Sequence, residues 1–466
     1  MTDRVSLTIQ QQYYEELRGH LFPGDGREAV AFMTFSKHTG FGRFRGLTNH
    51  FYPVPHDLCG ERTSNSVTWP TEFLEAVLNV AAEEGLSIVK VHSHPSGGKM
   101  FSELDDKADE ELFPGVSAWV GHALPHMSAV MLPDGTMFGR TVDHRGNFGP
   151  VDLINVAGED LHYWFRDELN DNVPGSAKRI AQAFGESTYN KLRRLRVGLV
   201  GCSGTGTHIG MGLNLNHIGE LFAVDPDVID DGNRNRIPTA TADDVTSATL
   251  KVVNMQRSIE RRGLGTKVTA FAEDISDAEV IRALGSCDLL IGCVDSASGR
   301  HYMNKISSAF LIPYIDLGVR INADGIGGVE GIFATAHFIT PGGSSLLSRG
   351  VYTLEQVNAE DMRVTDPDEY RRQKEEGYVK GVNVERPAVA CINGAIANLA
   401  LEDILARIHG YRAEDNCEFA VRRLVFCHSE LTHESDDEFV CPMFNDILAR
   451  GDKAPLLGLW YYGDAA

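Results

Sequence analysis

The sequence predicts an α/β protein: an N-terminal α+β unit followed by a Rossmann-like doubly wound sheet. Three observations carry that expectation. Apolar runs of β type alternate with helical spacing through the first 148 residues. From Arg196 the order is strand, glycine loop, helix, strand, in "RVGLVGCSGTGTHIGMGLNLNHIGELFAVD". Two further strand runs, Cys287–Asp295 and Ile312–Arg320, follow helical segments, and alternating β and α implies a parallel sheet.

In the first unit, residues 1–148, "EAVAFMTFS" (Glu28–Ser36) reads as a strand and Thr71–Gly85 as a helix ending at glycine. "LSIVKVHSHP" is a strand stopped by proline, and "SAVMLPDGTMFGR" (Ser128–Arg140) two strands around a Pro-Asp-Gly turn. "HRGNFGP" (His144–Pro150) breaks the pattern. Residues 150–195 read as helical, polar and acidic, with 149–178 a linker. The α/β unit spans 179–410 and ends in a long apolar helix, Ala388–Ile408. Residues 411–466 are expected to pack on it as a C-terminal extension.

The net charge of −22 over 466 residues argues against nucleic acid or an anionic membrane as the main partner. The basic stretch "KLRRLR" (Lys191–Arg196) reads as a solvated helix end. No window approaches the ~20 apolar residues of a membrane span, and the first residues carry no apolar run of signal-peptide type. Eight scattered cysteines without a C-x-x-C pair point to a reduced, cytoplasmic setting.

"VHSHPSGGKMFSELDD" (Val91–Asp106) carries the first site. Residues i and i+2 of a strand share a face, so His92 and His94 project together. Two imidazoles and a carboxylate can hold Zn2+ with one position left for water, and Asp105 lies beyond a glycine turn that can bring it back. Alone, the pair also fits two exposed strand histidines, and Ser102-x-x-Asp105 a helix cap. Together, H-x-H-P, with seven residues between the second His and the Ser of an S-x-x-D, resembles the JAB/MPN (JAMM) metalloproteases, which cleave after the C-terminal glycine of ubiquitin-like proteins. The resemblance implies His92, His94 and Asp105 as zinc ligands, Glu28 as general base for the attacking water, and Ser102 as oxyanion donor.

"GCSGTG" (Gly201–Gly206) follows a strand and opens a helix, the setting for a phosphate. Asp225 closes the next strand, where an acid can hold ribose hydroxyls. A dinucleotide dehydrogenase competes, but the spacing is G-x-x-G-x-G rather than G-x-G-x-x-G. With "DPDVIDDGNRNR" (Asp225–Arg236), Lys251 and "GCVDSASGR" (Gly292–Arg300), the stretch 179–410 resembles the ThiF/MoeB superfamily of ubiquitin-activating-type adenylating enzymes. That resemblance implies that Gly201, Gly204 and Gly206 cradle ATP phosphates and Asp225 holds the ribose. It gives Asn233, Arg236 and Lys251 to the phosphates, Asp295 to Mg2+, and Arg179 as an arginine finger supplied across a homodimer.

Three departures from the family pattern follow. "SSLLSRG" (Ser344–Gly350) has serine where relatives place zinc cysteines, and "CPMF" (Cys441–Phe444) retains one, so no zinc is expected in this half. Val382 stands where relatives that form a thioester carry cysteine. Cys391 reads as a buried small hydrophobe, and Cys202 and Cys293 as packing residues. Ser203, Val294 and Ser296 replace other motif residues.

Both resemblances imply one substrate, a protein with a C-terminal glycine, cut by the first half and adenylated by the second. The expected setting is a bacterial ubiquitin-like conjugation pathway with a conjugating-enzyme-like partner, some such systems being tied to antiphage defence. A sulfur carrier for thiamine, molybdopterin or cysteine synthesis, and a non-catalytic modifier-binding scaffold, are the alternatives.

Overall fold

Side-chain alternation builds the first sheet. In the computed structural model, which describes residues 3–167, 169, 172–324, 326–375, 387–436 and 440–462, the strands are β1 (Arg4–Gln10), β2 (Val30–Gly40), β3 (Arg43–Pro53), the short hairpin β4 (Glu61–Arg62) and β5 (Val67–Thr68), β6 (Ser87–Ser93), β7 (His126–Met131), β8 (Met137–Val142), β9 (Phe148–Pro150), β10 (Leu153–Ala157) and β11 (Tyr163–Phe165). Apart from the hairpin they form one nine-stranded sheet, ordered β11-β10-β1-β3-β2-β6-β7-β8-β9. Along β2, Ala31, Met33 and Phe35 face a core with Leu17 and Leu21 of α1 (Gln11–Leu21). Val30 and Phe32 face the opposite core, with α2 (Leu74–Glu84) and α3 (Glu103–Val120). Helix α2 ends at Gly85, which takes the left-handed conformation with φ 69°.

The linker expectation is corrected here. Residues 153–165 supply β10 and β11, and β10 pairs in parallel with β1. "LINVA" is wholly buried; its β-branched residues outweigh the acidic residues around it. Helix begins only at α4 (Lys178–Leu192).

The second sheet has the order β14-β13-β12-β15-β16-β17-β18-β19. Its strands are β12 (Arg196–Val200), β13 (Glu220–Val224), β14 (Lys267–Phe271), β15 (Leu289–Gly292), β16 (Tyr314–Ala323), β17 (Val329–Ile339), β18 (Val421–Val425) and β19 (Glu430–Glu434). From β14 to β16 every pairing is parallel, as a doubly wound sheet requires. Beyond β16 the pairings are antiparallel, an extension that the sequence reading lacks. Its helices after α4 are α5 (Gly204–Leu215), α6 (Ala242–Thr246), α7 (Lys251–Glu260), α8 (Ala278–Gly285), α9 (Ala297–Ala309), α10 (Leu354–Thr365), α11 (Pro367–Glu375), α12 (Ala390–His409) and the single turn α13 (Pro442–Asn445). "KLRRLR" is not wholly solvated: Arg196 is buried and pairs with Glu220 at 2.7 Å. In "SSLLSRG", Ser344 bonds Asp436, which also pairs with Arg349 at 3.1 Å, while Cys441 packs with Phe444, Ile447 and Leu347.

The chain divides into two compact units, 1–170 with Ala309–Leu311 and 448–466, and 171–308 with Ile312–Ile447. The C-terminal extension is therefore split: β18 and β19 join the second sheet, whereas Leu448 onward belongs to the first unit. There Ala449 O accepts from Asn49 Nδ2 at 3.0 Å, and Asp452 accepts from Thr39 N and meets His38 Nδ1, both at 2.7 Å. A side chain at Gly451 would begin 2.2 Å from Lys37 O, so only glycine lets the two backbones meet.

Burial works against ionisation of Asp452, but the hydrogen bonds from His38 and Thr39 prevail and hold its carboxyl below the usual carboxylate range. A carboxyl depressed in the fold stabilises above its unfolded pKa and loses that contribution as pH falls. Asp452→Asn should therefore cost about 1–3 kcal/mol at pH 7. The difference from the parent should shrink as pH falls through the carboxylate range, read by urea unfolding of both chains.

Candidate active sites

The first site is assembled by β6 and the start of α3. Even-numbered residues of β6 face α3, so Lys90 and His92 point the same way. Ser102 caps α3: its Oγ accepts from Asp105 N at 3.2 Å and donates to Asp105 Oδ2 at 2.7 Å. That cap aims the Asp105 carboxylate back at the strand. His92 Nε2 lies 3.0 Å from Asp105 Oδ1 and 3.1 Å from His94 Nε2. His94 Nε2 lies 3.5 Å from Asp105 Oδ2, and its Nδ1 meets Gly98 O at 2.8 Å. One ligand atom from each of the three residues falls within 4.8 Å of the others. The set fits a zinc ion: two imidazole nitrogens and a carboxylate oxygen converge, and the Gly98 carbonyl orients His94 from behind.

Glu28 stands just before β2. Val30 pairs with His92 across the antiparallel ladder, so Glu28 comes opposite His94. Its backbone is clamped by the hairpin segment: Glu28 N donates to Thr63 O at 2.7 Å and Arg62 Nε donates to Glu28 O at 2.9 Å. Burial pushes the Glu28 carboxyl up to about 7, with His94 pulling the other way. Burial lowers His92, which favours the neutral imidazole that a metal takes. Burial alone would raise Asp105, but hydrogen bonds from His92 and His94 hold it well below its ordinary value.

Sequence reasoning missed what lies behind these residues. Asp109, one helical turn after Asp105, has no solvent exposure. Lys90 reaches one of its oxygens, and Arg140 Nη2 the other at 2.6 Å. Arg140 also pairs with Asp106 and lies 3.8 Å from the ring centres of both Phe101 and Phe148. The network pins the first turns of α3 to β6 and β8. The spacings K-x-H-x-H and D-x-x-x-D were the available signal.

The second site lies where β12 turns into α5. Gly201 has φ 89°. A side chain on it would begin 2.6 Å from Cys293 O, and one on Gly206 1.8 Å from Gly201 O. The loop therefore folds only with glycine at these positions. Asp225, directly after β13, accepts from Cys202 N at 2.7 Å and Asp227 N at 3.0 Å, bracing the loop from below. Lys251 Nζ lies 2.6 Å from Asp227 and 3.6 Å from Asp225. Burial raises the Asp225 carboxyl, and Lys251 offsets only part of that. The Arg236 stem passes over Gly204, its Cγ and Cδ 3.3 Å from where a side chain there would begin. Loop, Asp225, Arg236 and Lys251 are thus brought together. Asn233 Nδ2 donates to Asp230 at 2.7 Å, while Asn233 Oδ1 is buried without a partner among the described residues. Asp295 is exposed after β15, and Arg179 is exposed on α4. Amides at a helix start beside two cations are an arrangement that can receive an anion.

The cysteines divide. Burial raises the thiols of Cys202 and Cys293, which suits packing rather than nucleophilic roles. The expectation for Cys391 is overturned: it is exposed in the first turn of α12, because α5 covers only the other side of that turn. Val382 lies outside the described residues.

Asp109→Ala would leave buried Lys90 without its carboxylate and Arg140 with Asp106 alone, and should cost about 3–5 kcal/mol of stability, measured by urea unfolding.

Comparison with known proteins bears on both domains. Residues 176–432, more than half of the chain, match the ThiF family. Residues 10–134 match prokaryotic homologues of the JAB domain. The chain is similar to a Saccharomyces cerevisiae protein described as ubiquitin-activating enzyme E1-like, 29% identical over 141 residues, covering 29% of this chain and 21% of that one. It is 25% identical over 140 residues to SUMO-activating enzyme subunit 2 of Dictyostelium discoideum, covering 30% and 21% of the two chains. An adenylyltransferase and sulfurtransferase UBA4 of Eremothecium gossypii is 26% identical over 163 residues, 35% of each chain. The chain thus spans about a fifth to a third of the length of these relatives. Among solved structures, E. coli MccB with MccA-N7isoASN has 18% identity and a TM-score of 0.46, covering 58% of this chain and 75% of that one. No helix among the described residues is long and apolar enough to cross a membrane. The chain belongs to the ThiF family and carries a JAB-type domain fused ahead of its ThiF domain.

Proposed function

We propose that this chain both trims and activates a ubiquitin-like protein ending in glycine. The observation that carries the reading is the pair of sites on one chain: the converged His92, His94 and Asp105 in one domain, and the glycine loop with Arg236 and Lys251 in the other.

In the first domain His92, His94 and Asp105 would hold Zn2+, which supplies Lewis acidity and makes hydroxide available at neutral pH. Glu28, with its carboxyl near 7, accepts a proton from the attacking water and returns it to the leaving amine. Ser102 would turn its single hydroxyl hydrogen from Asp105 Oδ2 to the oxyanion that forms at the scissile carbonyl, while its Oγ still accepts from Asp105 N.

In the second domain the glycine loop and the α5 N-terminus receive the phosphates of ATP, Asp225 the ribose, and Asn233, Arg236 and Lys251 the developing charge. Asp295 would hold Mg2+, which shields the polyphosphate from the incoming carboxylate. The C-terminal carboxylate forms a bond to the α-phosphorus as the bond to pyrophosphate breaks, leaving an acyl adenylate. A homodimer would place Arg179 of one copy near the phosphates of the other. A bacterial conjugation pathway is the setting we favour. A sulfur carrier is the second reading, favoured by a relative described as adenylyltransferase and sulfurtransferase.

The test uses the full chain with Mg-ATP and a ubiquitin-like protein extended beyond its glycine. Intact mass should report a shortened C-terminus and an added AMP. Glu28→Gln should bind zinc and yet slow trimming by roughly 10²–10⁴-fold, with adenylation intact. Asp295→Ala should do the reverse. An unchanged mass with a folded modifier would refute the reading.

A further inference from the structure

The first turn of α12 overlies the glycine loop. Asn393 lies in that turn and is 4% exposed. Its side-chain amide has no hydrogen-bond partner among the described residues. A side chain at Gly204 would begin 2.3 Å from Asn393 Nδ2, on a Cα that the Arg236 stem also crosses. Gly204 is the first residue of α5, the helix whose open amides face the phosphate position.

An amide largely shut off from water and without a protein partner gains most when a ligand supplies that partner. Asn393 is also held in place. Helices α5 and α12 pack closely through glycines: a side chain at Gly212 would begin 2.1 Å from Leu401, and one at Gly394 3.4 Å from His208. The amide is therefore fixed beside the loop before anything binds, and little ordering is left to do on binding. Its chemistry complements its neighbours: Arg236 and Lys251 bring charge, and Asn393 brings a neutral, directional N–H donor.

We propose that Asn393 is a nucleotide-binding residue whose side-chain N–H donates to a phosphate oxygen of ATP held over Gly204. The proposal rests on the ATP reading of the second domain and adds a ligand from α12 to a site otherwise drawn from residues 201–295.

Titration calorimetry of the full chain in Mg2+, with ATP and separately with adenosine, tests it. The unsubstituted chain should bind ATP; if it does not, the ATP reading fails and takes this proposal with it. If it does, Asn393→Ala should weaken ATP roughly tenfold, the value of one hydrogen bond to a charged oxygen, and leave adenosine affinity unchanged. Asn393→Asp keeps the shape, removes the donor and turns a negative charge toward phosphate, so it should lose more. Thermal unfolding without nucleotide shows whether each variant is folded. Asn393→Ser, smaller and still polar, carries the same expectation if the alanine chain does not fold. ATP affinity equal to that of the unsubstituted chain, or equal losses for ATP and adenosine, would overturn the assignment.

Discussion

A carboxylate taken out of water has to be matched by cations or donors, and the working parts of this chain hang on such matches. Asp109, closed to solvent, is met by Lys90 and Arg140, and through them α3 is set against its sheet. Asp105 points where it does because the turn before Asp109 cannot shift. In the second unit Asp225 braces the glycine loop and meets Lys251, and buried Asp316 meets Arg300 at 3.2 Å. Asp403 at the end of α12 is enclosed by Arg407 at 3.0 Å and Arg412 at 2.7 Å. Hydrophobic burial supplies most of the stability, but it has no direction. These pairs fix where elements stop sliding.

The two candidate sites use different devices. In the first domain, side-chain alternation along a strand and one capped helix bring His92, His94 and Asp105 together. In the second, close backbone approach shapes the loop, and only glycine permits it at residues 201 and 206. Alternation and capping tolerate changes around them; close approach does not.

This difference also sets what the sequence could reveal. His92, His94 and Asp105 were legible because a period of two and an N-cap spacing are local. The parallel order of β12, β13, β15 and β16 was legible because each strand precedes a helix. Strands β10 and β11 were not, since their apolar residues are few and stand among acids. The antiparallel run β17 to β19 was not, because nothing local tells an added strand from a loop. Cys391 was misplaced because a helix's buried side is decided by its neighbour. Lys90 and Asp109 sat in readable spacings, but their pairing with Arg140 is a long-range contact. The alternative of a scaffold with decayed sites has little support in the geometry, where the three ligands converge and Glu28 remains buried beside them.

The first unit also takes in Leu448 onward, so residues about 400 apart in sequence share one compact unit. During translation the contacts of Asn49 with Ala449 and of Thr39 with Asp452 can form only after the intervening ThiF domain has been made. The order in time is the reverse of the order in sequence: the second domain can be complete before the first. Closing a loop of about 400 residues is the costly part of that folding, so the first unit gains its last contacts late.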